Sequence, residues 1–451
     1  MVDPGPTDPL SPGCQQAAPV GRAVFLDPNL HRYAARVHGM RASEIRALFS
    51  VANRPEVVSL AGGMPFTAAL PLDAVGDMIA DLVHVRGAQA LQYVGGQGDP
   101  VLREQITEVM ALEGITSSPD DVVVTVGSQQ ALDLVTRVFL DPGDVVLAEA
   151  PSYVGALGTF SSAQAEVVHV AMDDDGLVPE ALRAALARLA GQGKRAKLLY
   201  TVPNYHNPAG VSLAEHRRDE ILQIAHAAGL LVLEDNPYGL LGFDEEPRRA
   251  LRARSDDGVL YLGTFSKTFS PGLRVGWVLA PHGVREKLVL ASEAQILCPP
   301  TFSGAVVSAY LSTQPWMEQI KVFREIYRER RDATLAALEQ HFPAGARWTR
   351  PTGGFYVWVT LPEGLDSKQM LARAVHARVA YVPGTGFYAD GQGGRHLRLS
   401  YCYPEPARIR EGVRRLAGVL EEEAELRSVF GAGAAPAPVT RSAQTPAADL
   451  A

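Results

Sequence analysis

The chain has 451 residues, of which 47% are hydrophobic, and a formal net charge of -8 at pH 7. This length predicts two globular units, because a single hydrophobic core stops growing beyond about 250–300 residues. The negative charge excludes nucleic acid or an anionic membrane as the main partner, since either would require a basic surface. We therefore expect a small-molecule or protein partner.

The ends of the chain show no recognisable targeting segment. The start, MVDPGPTDPL, lacks the basic and apolar regions of a secretion signal, and no apolar run elsewhere is long enough to span a bilayer. We expect a cytoplasmic protein with no membrane partner. Residues 1–25 and 429–451 are poor in residues that pack, and they are predicted to be disordered tails.

Short apolar runs alternate with amphipathic segments between these tails. Six runs are rich in Val and Leu and flanked by turn residues, which predicts buried strands over residues 121–127, 144–150, 196–203, 229–237, 259–266 and 274–280. Helical patterns lie between them, as in residues 128–140 and 212–229. The alternation predicts an α/β sheet with helices on both faces, and ligands of such sheets bind at the carboxyl ends of the strands.

Two candidate binding features follow the first strands. The sequence VTVGSQQALDL leads from a strand into a helix whose first turn offers the backbone amides of Ser128 and Gln129 to a phosphate. Ordinary N-capping by Ser128 is the alternative explanation. Tyr153 follows the next strand, where its ring is suited either to stacking on a flat heterocycle or to packing alone.

Asp235 ends a predicted strand and Tyr238 follows three residues later, so both side chains can reach one cleft. A carboxylate at this position can keep a pyridine nitrogen protonated and so strengthen the ring as an electron sink. Capping of the turn at Asn236 is the alternative. Asn207 precedes a proline and is held extended, which can direct its amide towards a ring hydroxyl, although the segment alone also fits a simple turn.

The segment Gly263 to Trp277, GTFSKTFSPGLRVGW, places one lysine among hydroxyl residues and an arginine. An aldehyde cofactor needs an amine for a Schiff base, and its phosphate needs hydroxyl donors and a guanidinium. Lys267 supplies the amine, while Thr264, Ser266 and Arg274 supply the donors. An exposed lysine between a strand and a loop is the alternative.

Together these motifs resemble the fold type I pyridoxal-phosphate aminotransferases, in particular the branch with 2-aminoadipate and kynurenine aminotransferases. The resemblance extends from about Arg41 to Leu416 and depends on GSQQALDL, PNYHNPAG, EDNPY, the FSKTFSPGLRVG block and LRLSY. It implies a mostly parallel, seven-stranded large domain with helices on both faces, and a smaller α/β domain. It also implies pyridoxal 5'-phosphate as the cofactor and a role in amino acid metabolism.

The resemblance assigns a role to each candidate. Lys267 forms the Schiff base and moves the Cα proton, Asp235 faces the pyridine nitrogen, and Asn207 with Tyr238 contacts the ring oxygen. Tyr153 stacks on the ring. The predicted phosphate contacts are Ser128, Gln129, Thr264, Ser266 and Arg274.

The resemblance also implies substrate and subunit contacts. Arg398 matches the arginine for the substrate α-carboxylate, a task that suits a planar guanidinium. Tyr93 matches a tyrosine that reaches the phosphate of the neighbouring subunit, which implies a homodimer with shared active sites. Arg46 is expected to meet a second substrate carboxylate or ring, unless it is simply solvated, and Gly63 to line the pocket.

The sequence departs from the family pattern before Asn207. Tyr205 and His206 stand where relatives usually carry Phe-Gln, so the polarity of the pocket wall, and with it the substrate, can differ. We do not assign His206 as the catalytic base, because the lysine already has that role. The histidines and the cysteines Cys14, Cys298 and Cys402 show no metal-ligand spacing, so no metal site and only reduced thiols are predicted.

The expected reaction is a ping-pong amino transfer from an aromatic, branched-chain or 2-aminoadipate-like L-amino acid to a 2-oxo acid such as 2-oxoglutarate. A lyase, racemase or decarboxylase on the same fold is one alternative, since any bond at Cα is weakened by the same electron sink. A cofactor-sensing regulator is a remote one, because it would need a DNA-binding domain. The predicted large domain covers 74–313, and residues 26–73 join 314–428 in the small domain and substrate cover.

Overall fold

The computed structural model describes residues 27, 29–39, 54–244 and 246–430. Arg46 and Cys14 lie outside the described residues, and so do the predicted tails apart from residues 429 and 430. The role predicted for Arg46 therefore stays a prediction. The last described helix continues to Phe430, two residues into the predicted C-terminal tail.

The strands of the described residues are short and mostly buried. They are β1 (Val58–Ser59), β2 (Val122–Val126), β3 (Val145–Ala150), β4 (Glu166–Asp173), β5 (Gly176–Leu177), β6 (Ala196–Thr201), β7 (Leu231–Asp235), β8 (Val259–Thr264), β9 (Val275–Leu279), β10 (Arg347–Trp348), β11 (Tyr356–Thr360), β12 (Val379–Ala380), β13 (Val382–Pro383) and β14 (His396–Ser400).

The helices of the same residues separate these strands. The α-helices are Leu72–Ala90, Pro100–Ala111, Gly127–Phe139, Val154–Ser162, Pro179–Gly191, Glu215–Ala227, His282–Ile296, Thr301–Thr313, Trp316–His341, Ser367–His376 and Pro406–Phe430. Single 3-10 turns occur at Leu30–Arg32, Ala35–Gly39, Thr67–Ala69, Pro119–Asp121 and Gly384–Phe387. No described helix has both the length and the apolar character that a membrane span requires.

The main sheet contains all six strands predicted from the sequence. Its order is β2-β9-β8-β7-β6-β3-β4-β5. Strands β8, β7, β6, β3 and β4 are parallel, whereas β9 is antiparallel to both of its neighbours. Strand β5 adds a two-residue antiparallel edge to the seven longer strands. The predicted α/β class and the mostly parallel sheet are confirmed.

Both faces of this sheet are covered, as the alternation of side chains along β3 shows. Val146 and Ala148 pack into one core cluster with residues of helices Gly127–Phe139 and Val154–Ser162. Val145 and Leu147 pack into another with residues of helices Pro179–Gly191 and Glu215–Ala227. A parallel strand buried on both faces needs an unbroken apolar run, and that run is the signal by which the sequence predicted it.

A second sheet has the order β10-β11-β14-β13, with every neighbouring pair antiparallel. Helices Trp316–His341 and Pro406–Phe430 pack on each other beside it. Strand β1 pairs in parallel with β12, which brings the segment before residue 74 against the C-terminal part of the chain. The domain boundaries drawn at 74, 314 and 428 stay predictions.

Candidate active site

A cavity of about 240 Å³ lies where loops from the main sheet meet β11 and β14. Of the predicted site residues that the structure describes, all but Tyr93 line it. The lining residues are Gly63, Ser128, Gln129, Tyr153, Val202, Asn207, Asp235, Pro237, Tyr238, Thr264, Ser266, Lys267, Pro271, Arg274, Tyr356 and Arg398. The sheet topology thus gathers motifs that are up to 335 residues apart in sequence, from Gly63 to Arg398.

Lys267 extends from the turn after β8 towards the centre of the cavity. Its Nζ donates a hydrogen bond to the carbonyl oxygen of Gly63 at 3.0 Å and lies 5.8 Å from the centre of the Phe355 ring. Burial lowers the pKa of this amine from 10.5 to about 8, because the charged form loses hydration. The free base, which is the nucleophilic form, is therefore more accessible near neutral pH than for an exposed lysine.

Asp235 ends β7 with 3% of its surface exposed. Its Oδ2 accepts a hydrogen bond from the Tyr200 hydroxyl at 2.8 Å, while Oδ1 is buried without a partner among the described residues. Burial raises the pKa of the carboxyl from 3.8 to about 7, against the opposing effects of Tyr200 and Lys267. A buried oxygen without a donor is unfavourable, so this site favours a ligand that brings an N–H with positive charge.

The start of helix Gly127–Phe139 and the turn after β8 form a polar end of the cavity. Arg274 donates from Nη1 to Ser266 Oγ at 3.1 Å and from Nη2 to the carbonyl oxygen of Val126 at 3.1 Å. Thr264 Oγ1 donates to the same Ser266 oxygen at 2.9 Å. A guanidinium, two hydroxyls and the amides of a helix start are the groups that bind a dianionic phosphate.

Gly127 is required at this end of the cavity for two reasons. Its φ is +72°, in the left-handed region that side chains rarely adopt. A Cβ atom placed on it would also lie 2.2 Å from Arg274 Nη2. The glycine therefore lets the guanidinium approach the helix start.

Tyr153 and Gln129 stand next to each other on the cavity wall. The Tyr153 hydroxyl donates to Gln129 Oε1 at 3.4 Å, and Gln129 Nε2 donates to Thr159 Oγ1 at 2.8 Å. Burial raises the pKa of Tyr153 to about 12, so the phenol stays protonated and neutral. A neutral ring of this kind is suited to stacking on a flat heterocycle.

Arg398 and Asn207 meet at the opposite wall. Arg398 is buried and donates from Nη1 to Asn207 Oδ1 at 2.8 Å and from Nη2 to the carbonyl oxygen of Ala61 at 2.6 Å. Its guanidinium carbon lies 4.2 Å from the centre of the Tyr356 ring, and its Nε has no partner among the described residues. A buried cation with spare donor capacity is suited to a carboxylate ligand.

Sequence reasoning missed two tyrosines of this site. Tyr200 lies inside β6 and bonds to Asp235, whereas Tyr356 begins β11 and accepts a hydrogen bond from the Tyr238 hydroxyl at 3.4 Å. Strand alternation shows that both positions are buried, but it does not show which neighbour each side chain meets. That depends on register between strands distant in sequence.

Tyr93 lies outside the cavity with 76% of its surface exposed. Groups of three or more His, Cys, Asp or Glu side chains suited to a metal ion are absent from the described part of the chain. The subunit contact of Tyr93 and the lack of a metal site therefore stay predictions.

Comparison with known proteins identifies the family. The model of the family "Aminotransferase class I and II" matches residues 55–416. The chain is 42% identical to aromatic-amino-acid aminotransferase 1 of Thermococcus litoralis, over 87% of this chain and 94% of the relative. The chain belongs to the class I and II aminotransferases.

Solved structures agree with this assignment. Kynurenine aminotransferase of Pyrococcus horikoshii, in complex with PMP, has a TM-score of 0.84 and 39% identity over 88% of this chain and 98% of that one. Alpha-aminoadipate aminotransferase of Thermus thermophilus, complexed with N-(5'-phosphopyridoxyl)-L-leucine, has a TM-score of 0.81 and 36% identity over 88% and 99%. These matches confirm the predicted fold type, the transaminase activity and the cofactor.

The residues of this aminotransferase fit pyridoxal 5'-phosphate. Asp235 Oδ1 lacks the donor that a protonated pyridine nitrogen would bring, and the space that a Cβ of residue 127 would fill is kept open beside Arg274. Lys267 lines the same cavity as Asp235 and Arg274. The matches favour transamination over the lyase, racemase, decarboxylase and regulatory alternatives.

Proposed function

We propose that this aminotransferase moves the amino group of an aromatic, branched-chain or 2-aminoadipate-like L-amino acid to a 2-oxo acid, with 2-oxoglutarate as the expected acceptor. The relatives named for aromatic amino acids, kynurenine and alpha-aminoadipate support this range. The observation that carries the proposal is one cavity containing the Lys267 amine, the unpartnered Asp235 oxygen and the buried Arg398 guanidinium.

Each charged group has a separate task in this proposal. Pyridoxal 5'-phosphate, when bound, supplies an electron sink that stabilises negative charge at the Cα of the amino acid. Lys267 would hold the cofactor through its aldehyde carbon, and its amine, once free, would take the Cα proton and return it. Asp235, as a carboxylate, would hold the proton on the ring nitrogen, and the low polarity around it would strengthen that contact.

The remaining wall residues orient the two ligands. Arg398 binds the substrate α-carboxylate through its two parallel N–H groups, a charged contact of about 1.5–3 kcal/mol. Asn207 and Tyr238 would contact the ring oxygen, and Tyr153 would cover one face of the ring. The residues that would hold the phosphate are Ser128, Gln129, Thr264, Ser266 and Arg274, all of which line the cavity.

The aminotransferase is further proposed to be a homodimer that shares its active sites. Tyr93, Leu91 and Val85 are 76%, 73% and 75% exposed, although large apolar side chains usually avoid water. Gly96, in the same loop as Tyr93, lies against Glu293, so this loop adjoins helix His282–Ile296, which exposes Leu290. Burial of these exposed side chains against a second copy of the chain would remove them from water. The cytoplasmic location stays a prediction.

A screen of twenty amino acids tests the function. Purified holoenzyme is incubated with each amino acid, with and without 2-oxoglutarate, and amino and oxo acid products are identified by mass spectrometry. We expect amino transfer to 2-oxoglutarate with aromatic, branched-chain or 2-aminoadipate donors, and none with Lys267→Ala. Products formed equally well without the oxo acid would contradict amino transfer and indicate elimination, racemisation or decarboxylation.

A further inference from the structure

A row of four buried side chains connects the two loops that carry the proposed ring contacts. Its members, here called the amide relay, are Arg218, Asn204, Asn236 and Glu113, and each is at most 5% exposed. Arg218 Nη2 donates to Asn204 Oδ1 at 2.6 Å, and Asn204 Nδ2 donates to Asn236 Oδ1 at 3.2 Å. Asn236 Nδ2 then donates to Glu113 Oε1 at 2.6 Å.

Arg218 determines the direction of the amide relay. Burial raises the pKa of Glu113 from 4.5 to about 7, so this carboxyl does not fix the direction by its charge. Because the guanidinium can only donate, it fixes the oxygen of Asn204 towards itself, and the Asn204 nitrogen in turn fixes the oxygen of Asn236. A single arrangement therefore satisfies all three bonds.

The amide relay joins the loops at positions next to the site. Asn204 follows β6 and stands three residues before Asn207, while Asn236 stands between Asp235 and Tyr238. No member of the relay lines the cavity. A bond between the side chains of Asn204 and Asn236 therefore sets how far apart the two loops lie behind the cavity.

We propose that the amide relay is a positioning device that holds Asn207 and Tyr238 in register on the cofactor ring oxygen. This inference rests on the proposed function, because it uses the ring contacts assigned there. Hydrogen-bond donors to the ring oxygen stabilise its deprotonated form. Weaker hydrogen bonding to this oxygen therefore raises the pKa of the bound cofactor, which is the pH at which half of it has lost its proton. That pH is visible as the midpoint of an absorbance titration of the holoenzyme.

Asn204→Ala cuts the amide relay at its centre and is the test variant. Tyr261→Phe is the matched control. The Tyr261 hydroxyl donates to Glu113 Oε2 at 2.6 Å and accepts from Asn236 Nδ2 at 3.4 Å, so its loss removes contacts to two relay members but leaves the bond between Asn204 and Asn236 in place. We expect Asn204→Ala to raise the absorbance midpoint by about half a pH unit and to lower kcat about tenfold. Tyr261→Phe is expected to lower the melting temperature. It should leave the absorbance midpoint unchanged and kcat within about twofold of the value for the unchanged protein.

A purely structural role predicts a different pattern. If Asn204→Ala moves the midpoint and kcat no more than Tyr261→Phe does, the positioning role is overturned. If Asn204→Ala does not fold, Glu113→Ala and Glu113→Gln decide, because glutamine keeps an oxygen that can accept from Asn236. The midpoint should then shift with alanine and return with glutamine, and equal midpoints overturn the inference. Unchanged protein without a cofactor absorbance band or turnover would overturn the proposed function as well.

Discussion

Asp235 shows how burial prepares a side chain for a charged ligand. Its one unpartnered oxygen and its raised pKa have the same origin, a carboxyl group removed from water with a single hydroxyl donor. A positively charged ring nitrogen would donate a hydrogen bond to this oxygen and would lower the pKa of the carboxyl. Asp235 therefore destabilises the protein without cofactor and stabilises the holoenzyme.

Asp235→Asn should reduce turnover far more than cofactor retention. The amide cannot hold a proton on the ring nitrogen as a carboxylate does. Arg274 and Ser266, the proposed phosphate contacts, are left unchanged by the substitution and keep their mutual hydrogen bond. We expect kcat to fall at least a hundredfold, on the order of 3 kcal/mol in the barrier, with cofactor affinity reduced less than tenfold. Steady-state kinetics and equilibrium dialysis measure the two quantities, and equal losses would contradict the assignment.

The same substitution should change the pH dependence of stability in the cofactor-free protein. The folded pKa of Asp235 is about 7 and the ordinary value is 3.8, so its stabilisation is complete below that ordinary value and is lost as the pH rises to 7. As the pH rises towards 7, the free energy of unfolding of the unchanged protein should therefore fall relative to that of Asp235→Asn. The fall should be up to about 1.4 kcal/mol per pH unit. Calorimetry at pH 5, 6, 7 and 8 tests this, and a constant difference would refute it.

Arg398→Ala should raise the KM for the amino acid donor at least tenfold, because about 1.5–3 kcal/mol of charged hydrogen bonding is lost. Arg398→Lys is the matched control. It keeps the charge but not the planar pair of N–H groups, so we expect only partial recovery. Initial rates at varied donor concentration provide the comparison, and an unchanged KM would show that another residue binds the carboxylate.

At the scale of elements, helix Gly127–Phe139 begins directly after β2, at the edge of the cavity. Its first residue combines a left-handed backbone with close contact to Arg274, so the helix start and the guanidinium depend on one position without a side chain.

Gly127→Ala should therefore weaken cofactor binding at least tenfold, because the methyl group displaces Arg274 and the backbone is strained by about 1–2 kcal/mol. Gly158→Ala is the control, since that exposed helical glycine has open space around it and its φ is not positive. The control should retain cofactor affinity and gain slightly in melting temperature. Fluorescence titration of the cofactor-free variants measures the affinities; similar values in both would count against the steric argument.

The elements differ in how far the sequence could predict them. Strands β2, β3, β6, β7, β8 and β9 were predictable because burial on both faces requires unbroken apolar runs. The motifs at their carboxyl ends were predictable because parallel strands deliver them to one edge. The contacts of Tyr200, Tyr356 and the amide relay were not predictable, because packing between segments far apart in sequence determines their partners. Glu113 illustrates this, because an acidic residue after a helix is normally solvated.

At the scale of the whole molecule, the described part of one chain forms the cavity but leaves the side chains of Tyr93, Leu91 and Val85 exposed, here called the exposed apolar surface. A second copy would cover that surface and bring its own Tyr93 to the phosphate contacts in the proposed dimer.

Tyr93→Phe should leave the dimer intact and weaken cofactor affinity about tenfold, because one hydrogen bond to a charged phosphate is lost. Tyr403→Phe, at a tyrosine that is 53% exposed and is assigned no role, is the control and should have no effect. Light scattering gives the mass and dialysis gives the affinity. A monomeric unchanged protein, or equal affinity in both variants, would contradict shared active sites.

The pairing of β1 with β12 joins two segments that the ribosome synthesises at widely separated times. Val58 pairs with Val379, and the amide of Ser400 donates to the carbonyl oxygen of Leu60 at 2.8 Å. Gly63, which accepts from Lys267, directly follows this early segment. Pairings across more than three hundred residues form slowly. A nascent chain on the ribosome therefore cannot complete its vitamin B6 pocket until the residues of β14 have emerged.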